Sequence, residues 1–280
     1  MVLSVAGLSS SAYYGKKKSS RKLKRGPKTE INDNELLNLI REEIAGLKFF
    51  GMGYIKIWIR INRKLEKRGL SVGRKRTYRV MKDNNLLEKS PGKPVKNKHD
   101  GKIITDKPNV MWATDGKRFW TRKEGWCWFF GISDHFNSEI IAFHTTKNGD
   151  RFNGFVPLQE AVNKRYGGFR KGIAEGLSLR TDLGSIYTSG HFRNSAEFLG
   201  IEMSYTWAKS PESNGIIERF HRTLEEQVFK IYDFETLEEA TAKIKEFVEN
   251  YNREWMLARL GYMSPLEARK CYEDKLLNVA

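Results

Sequence analysis

Positive charge in this chain is segregated, and the segregation limits what the chain can build. Of 280 residues, 50 are Lys or Arg and 34 are Asp or Glu, a formal excess of +16. Counted on either side of Thr105, the first part holds 26 basic and 9 acidic residues and the second holds 24 and 25. An excess confined to one end marks a module that meets a polyanion, and nucleic acid is the partner it fits. The rest of the chain, close to neutral, must supply a core of its own, and 39% hydrophobic residues suffice for one. That composition excludes a wholly disordered chain. Cys127 and Cys271 are too few for a disulfide framework or a four-thiolate zinc site, so they read as core filler in a reducing compartment. No apolar run approaches a membrane span. At the start, the basic cluster follows the apolar stretch, the reverse of a secretory signal. The expected setting is cytoplasmic, on nucleoid DNA, without a membrane.

Within the basic part, residues 1–30 are too charged and too broken by Gly and Pro to pack, and read as a flexible arm. Residues 34–87 turn helical. Tyr54, Ile57, Trp58, Ile61 and Leu65 fall on one apolar stripe. Gly69 to Ser71 breaks the pattern, and residues 72–83 resume it with Tyr78 and Met81 expected inward. Arg74, Lys75, Arg76, Arg79 and Lys82 are left on the outer face. Helix, short glycine-containing turn and basic helix make a helix-turn-helix layout, whose second helix enters the DNA major groove. The expected domains are thus an arm at 1–30, a helix-turn-helix domain at 31–90, a linker at 91–105 and an α/β core at 106–280.

In that core, residues 109–121, 125–134 and 138–145 are β-branched and aromatic, with turn residues between them, and predict an antiparallel meander. A helix (152–166), a strand (177–181), a helix (191–199), a short strand (201–207) and two long helices follow. The mixed order implies one sheet covered by helices. Trp126, Trp128 and Phe130 alternate as core strand residues do. Three carboxylates stand out. Asp115 interrupts the first strand in Trp112-Ala113-Thr114-Asp115-Gly116; Asp182 lies where a strand gives way to a turn. Glu218 sits near the start of a helix with the apolar stripe Ile217, Phe220, Leu224 and Val228, at the margin of its buried face. Such a set suits hard cations, Mg²⁺ or Mn²⁺, and two of them can activate a water or hydroxyl and stabilise the leaving oxygen of a phosphodiester. Each acid alone also fits an ordinary turn or surface role.

The sequence around the acids is more specific. Thirty-five residues separate Asp182, in Thr181-Asp182-Leu183-Gly184-Ser185-Ile186-Tyr187-Thr188-Ser189, from Glu218, in Asn214-Gly215-Ile216-Ile217-Glu218-Arg219-Phe220-His221-Arg222-Thr223-Leu224. With the Asp115 motif, these segments resemble the catalytic core of retroviral-integrase-type DDE transposases, most closely the second-frame product of insertion sequences of the IS-three family. The resemblance extends to Gly53-Tyr54 through Leu87 and to Tyr251-Asn252 through Ala268. It implies a ribonuclease-H-like integrase core with a mixed five-stranded sheet, preceded by an all-α helix-turn-helix domain. It implies Asp115, Asp182 and Glu218 as catalytic and metal-holding residues of a two-metal Mg²⁺ or Mn²⁺ site. It also implies DNA as substrate, both the element's terminal inverted repeats and a target, acted on by a homo-oligomer. The opening residues resemble a second-frame start, which makes a first-frame transposase product a candidate partner and a frameshifted fusion a candidate working form.

Candidate DNA contacts are Arg74, Lys75, Arg76, Arg79, Lys82, Lys117, Lys209 and Arg222, with Trp207 beside the loop before Glu218. One departure from the family pattern is Glu225, where Lys or Arg is frequent; at 100° per residue it shares a face with Glu218 and Arg222, and Arg222 is expected to neutralise it. His221, one turn after Glu218, reads as a polar helix residue or DNA contact, or as half of an iron-binding carboxylate-histidine pair with no second half. Two alternatives stay open: a catalytically silent DNA-binding regulator derived from a transposase, and a nuclease that cuts without strand transfer.

Overall fold

The computed structural model describes residues 30–88, 105–206 and 214–278. The basic arm, nearly all of the linker, Trp207 and Lys209 lie outside the described residues. The helical pattern of the basic part resolves into three helices, α1 (Asp33–Ala45), α2 (Tyr54–Glu66) and α3 (Arg74–Asp83). The Asn32 side chain caps α1 by accepting the Glu35 N–H at 2.9 Å. Ile57, Ile61 and Leu65 of α2 are buried, as their spacing predicts. Asn62 fixes the α2–α3 turn from both sides of Val72, accepting its N–H at 2.9 Å and donating to its carbonyl at 3.1 Å. On α1, the buried Glu43 is bridged by Arg60 at 2.8 Å and by Lys64 of α2. Burial pushes the Glu43 carboxyl upward, but the two cations outweigh it and hold it below its ordinary value.

Two expectations for α3 are corrected. Met81 is buried, but Tyr78 is not, because Thr77 and Val80 take the inward positions; Tyr78 lies exposed and edge-on to Tyr54. Nor do all five cations stand free. Arg76 and Arg79 both bond Asp33 of α1, at 2.7 and 2.8 Å, and Arg76 also donates to the Ile31 carbonyl. These two guanidiniums fasten α3 to α1.

The core sheet has five strands in the order β3-β2-β1-β4-β5: β1 (Met111–Thr121), β2 (Gly125–Asp134), β3 (Ile140–Thr146), β4 (Ser178–Thr181) and β5 (Glu202–Tyr205). The first three form the expected antiparallel meander, and β4 and β5 run parallel to β1. Alternation sorts the side chains onto two layers. Trp112 and Ile132 pack under α4 (Arg151–Tyr166) and α6 (Gly190–Phe198), with the short α5 (Ser185–Thr188) beside them. Ala113, Phe119, Cys127 and Phe129 pack under α7 (Gly215–Leu224) and α8 (Leu237–Glu254). α9 (Pro265–Leu277) follows, started by a reciprocal Ser264–Glu267 capping box.

Asp115 does not interrupt β1. The strand runs through it, with Asp115 opposite Gly131 and Gly116 opposite Phe130. Trp126 is not core either: the β1–β2 hairpin outruns the helical layer, so Trp126 is 53% exposed and meets Trp120 edge-on. Cys127 is buried and Cys271 half-buried, both as free thiols.

The basic helices are not set apart from the core. Their buried residues form one apolar cluster with the α7/α8 layer. Phe49 packs edge-on against Phe247 and Trp255, and the Lys56 ammonium sits 3.7 Å from the Trp255 ring centre. Burial lowers the Lys56 pKa to about 8. Gln227 accepts the Phe50 N–H at 2.8 Å and donates to the Phe50 carbonyl at 3.0 Å. Gln227 lies in a π-helical turn, Glu225–Phe229, that widens the end of α7. Among the described residues, no helix is long and apolar enough to cross a membrane.

Candidate active site

Parallel pairing of β1 with β4 sets Ala113 beside Arg180. Two residues further along the same register, Asp115 is level with Asp182. Asp115 shares a strand face with Ala113, the face that α7 covers. Its carboxylate is half-buried, and Oδ1 accepts the Gly116 N–H at 2.7 Å. A Cβ at Gly116 would lie 2.6 Å from the Phe130 ring, so only glycine fits there. Asp182, exposed just past β4, accepts the Gly184 N–H at 2.9 Å and folds its own loop back.

Glu218 lies in the first turn of α7 and is half-buried. Two contacts bring this helix to Asp115. The Asn214 side chain donates to the Thr114 carbonyl at 3.1 Å. One turn beyond Glu218, His221 Nδ1 stands 3.4 Å from Asp115 Oδ2. The apolar stripe Ile217, Phe220, Leu224 and Val228 is buried as predicted.

Beneath the acids the polar groups are incompletely matched. Tyr187 is buried edge-on to Phe192. Burial, reinforced by the charges of Asp115 and Asp182, pushes its hydroxyl pKa upward. Among the described residues, Thr114 Oγ1, Tyr187 Oη, Asn214 Oδ1 and His221 Nε2 are buried without a hydrogen-bond partner. By strand alternation Thr114 faces the layer that holds Tyr187, opposite to Asp115, whereas Asn214 and His221 belong to α7 and its cap. Neither Asp115 nor Asp182 pairs with Lys or Arg among the described residues. Nor, among those residues, do three His, Cys, Asp or Glu side chains gather closely enough there to enclose a metal ion. Carboxylates brought to one edge repel each other, which accounts for their spread.

Residues 199–265 match the family model described as an integrase core domain. The chain is 30% identical over 242 residues to the transposase InsD of insertion element IS2 in Escherichia coli, covering 84% of this chain and 78% of that protein. The InsD of element IS2-9 in strain K12 matches at the same identity. The chain belongs to the insertion-sequence transposases of the IS-three family. Similar solved structures include the simian T-cell lymphotropic virus intasome in complex with the PP2A regulatory subunit B56 gamma (15% identity, TM-score 0.49, 74% of this chain and 70% of that chain). Another is the catalytic core domain of BIV integrase (20% identity, TM-score 0.44, 60% and 99%). With its mixed five-stranded sheet flanked by helices, its match to the integrase core domain and its transposase relatives, the core of the transposase is ribonuclease-H-like, and its activity is that of a DDE-type polynucleotidyl transferase on DNA.

The candidate DNA contacts of the transposase divide by geometry. Arg74, Lys75, Lys82 and Arg222 are exposed. Lys117 bonds Glu225 at 2.9 Å, and this pairing replaces the expected neutralisation by Arg222. The π turn begins at Glu225, so a constant 100° per residue no longer holds beyond it. Sequence reasoning undervalued two residues of the transposase, Tyr187 and His221. His221 falls at i+4 from Ile217 and i−3 from Leu224, which already puts it on the buried stripe.

Proposed function

We propose that Asp115, Asp182 and Glu218 are the carboxylates through which the transposase cuts DNA at the element's ends and joins it to a target, with Mg²⁺ or Mn²⁺ held among them. The observation that carries this reading is the β1–β4 register, which sets Asp115 level with Asp182 just past the end of β4, with α7 tethered to β1 beside them. Oxygen donors of this kind match hard divalent cations. Bound there, the cations supply Lewis acidity to the scissile phosphate and make an attacking oxygen available at neutral pH.

The chain's own residues position and bind. Asp115 is held within a continuous strand, Asp182 on a loop closed by Gly184, and Glu218 on a helix whose N-terminal dipole favours its charge. Arg74, Lys75 and Lys82 would meet phosphates of the terminal repeats, and Arg222 a strand approaching the acids. More than one copy would act on paired ends, and a first-frame product is a candidate partner.

Asp115→Asn, Asp182→Asn and Glu218→Gln, assayed for end cleavage and strand transfer with Mn²⁺, should each lose both reactions while retaining affinity for end DNA. Without metal, each should melt at the wild-type temperature or above, because one repelling charge is gone. A variant that cuts at the wild-type rate removes its residue from the site. Uniform loss of DNA binding instead would assign the acids to folding.

A further inference from the structure

The imidazole of His221 is buried at 7% exposure on the helix that carries Glu218. Its ring stands edge-on to Phe129 at 5.7 Å and packs beside Phe220 at 6.2 Å, so aromatic walls fix its plane. Nδ1 faces Asp115 Oδ2 at 3.4 Å, while Nε2 is buried with no hydrogen-bond partner among the described residues. A leucine or phenylalanine would fill this space without stranding a nitrogen, so packing alone does not explain an imidazole here. What the ring adds over either is a polar contact with Asp115. The other oxygen of that carboxylate is already held by the Gly116 N–H at 2.7 Å. Asp115 is therefore bracketed by two groups, one from its own strand and one from the helix of Glu218.

We infer that His221 is a positioning residue that fixes the Asp115 carboxylate relative to the Glu218 turn of α7. It touches neither DNA nor the reacting phosphate and acts through Asp115, so the inference rests on the reading of Asp115 as a metal-holding residue. The arrangement has the logic of outer groups that orient metal-binding side chains, whose loss typically costs about 10–100-fold in metal affinity or activity.

Three substitutions separate this role from packing. His221→Phe keeps the aromatic volume and removes the polar interaction. His221→Asn sets an amide nitrogen near the position of Nδ1, and His221→Leu removes both the ring and the polar interaction. Mn²⁺ affinity of the full chain, measured by calorimetry without DNA, is the primary readout, joined by kcat and KM for end cleavage and by the melting temperature. His221→Phe and His221→Leu should bind Mn²⁺ about 10–100-fold more weakly and lose kcat with KM for end DNA unchanged. His221→Asn should recover most of both despite a lower melting temperature. Wild-type Mn²⁺ affinity in His221→Phe overturns the inference, as does a folded His221→Asn no better than His221→Phe. If His221→Phe fails to fold, the same contrast between His221→Asn and His221→Leu decides. Asp115→Asn is the control: normal Mn²⁺ binding and cleavage in that variant would sink the metal-site reading itself, a result distinct from failure at His221.

Discussion

Two polar clusters lie along β1 and are built on opposite terms. Near the start of the strand, Asp134 and Glu139 meet two guanidiniums: Arg269 lies 3.0 Å from Glu139 and 3.9 Å from Asp134, and Arg165 lies 2.5 Å from Glu139. Burial raises the Glu139 carboxyl, but Arg165 and Arg269 more than reverse it and hold it below its ordinary value. A few residues along, Asp115 and Asp182 stand level with no cationic side chain paired to either among the described residues. The first cluster carries its own counter-charge and ties α4 and α9 to the β2–β3 turn. The second lacks that counter-charge, a difference that fits the architectural role of the first and the ligand-binding role proposed for the second.

The hardest test of this contrast is to unbalance the matched cluster. Arg269→Leu leaves two buried carboxylates facing Arg165 alone and should cost about 3–5 kcal/mol of unfolding free energy, read by urea denaturation. Because the folded Glu139 pKa is depressed, its contribution in the wild type is complete above the unfolded carboxylate pKa. It is lost as pH falls through the folded value. An Arg269→Leu chain as stable as wild type would show that matched charge at this end is dispensable.

The same division runs through α3. Replacing Arg74, Lys75 and Lys82 together with Ala should leave folding nearly intact and weaken end-DNA binding, lowering the salt slope by about one for each cation that no longer meets a phosphate. Arg76→Ala should do the reverse, losing stability first, because Arg76 holds Asp33 and the Ile31 carbonyl. Equal salt slopes for the triple variant and the wild type would move the DNA-binding face elsewhere. The smallest effect belongs to the Lys117–Glu225 pair, which is partly exposed. Glu225→Gln should change stability by no more than about 1 kcal/mol and tighten end-DNA binding slightly as Lys117 is released. A marked loss of stability would instead make the pair part of the scaffold.

Much of the fold and of the candidate site is legible in the sequence because local periodicity and motif spacing carry it. Strand 125–134 and the buried stripe of α7 follow from alternation and from the 3.6-residue repeat, and the three proposed acids are singled out by their motifs. What escapes depends on partners distant in the chain. Arg76 and Arg79 look like free cations until α1 brings Asp33 to them. Glu225 looks like a DNA-facing charge until Lys117 on β1 meets it. His221 reads as an ordinary polar residue, although its stripe position is visible, because nothing local reveals Asp115 at 3.4 Å. Trp126 looks like core because alternation does not show where a hairpin outruns the helices above it.

The register between β1 and β4 also fixes when the proposed catalytic edge comes into being. Asp115 and Asp182 become level only when two strands separated by β2, β3 and α4 find each other, a pairing of long sequence separation that pays its loop-closure entropy before any contact rewards it. During synthesis, the basic helices emerge from the ribosome while β4 and the Glu218 helix are still untranslated. The alignment of the two aspartates is therefore a late event, possible only once most of the chain has been made.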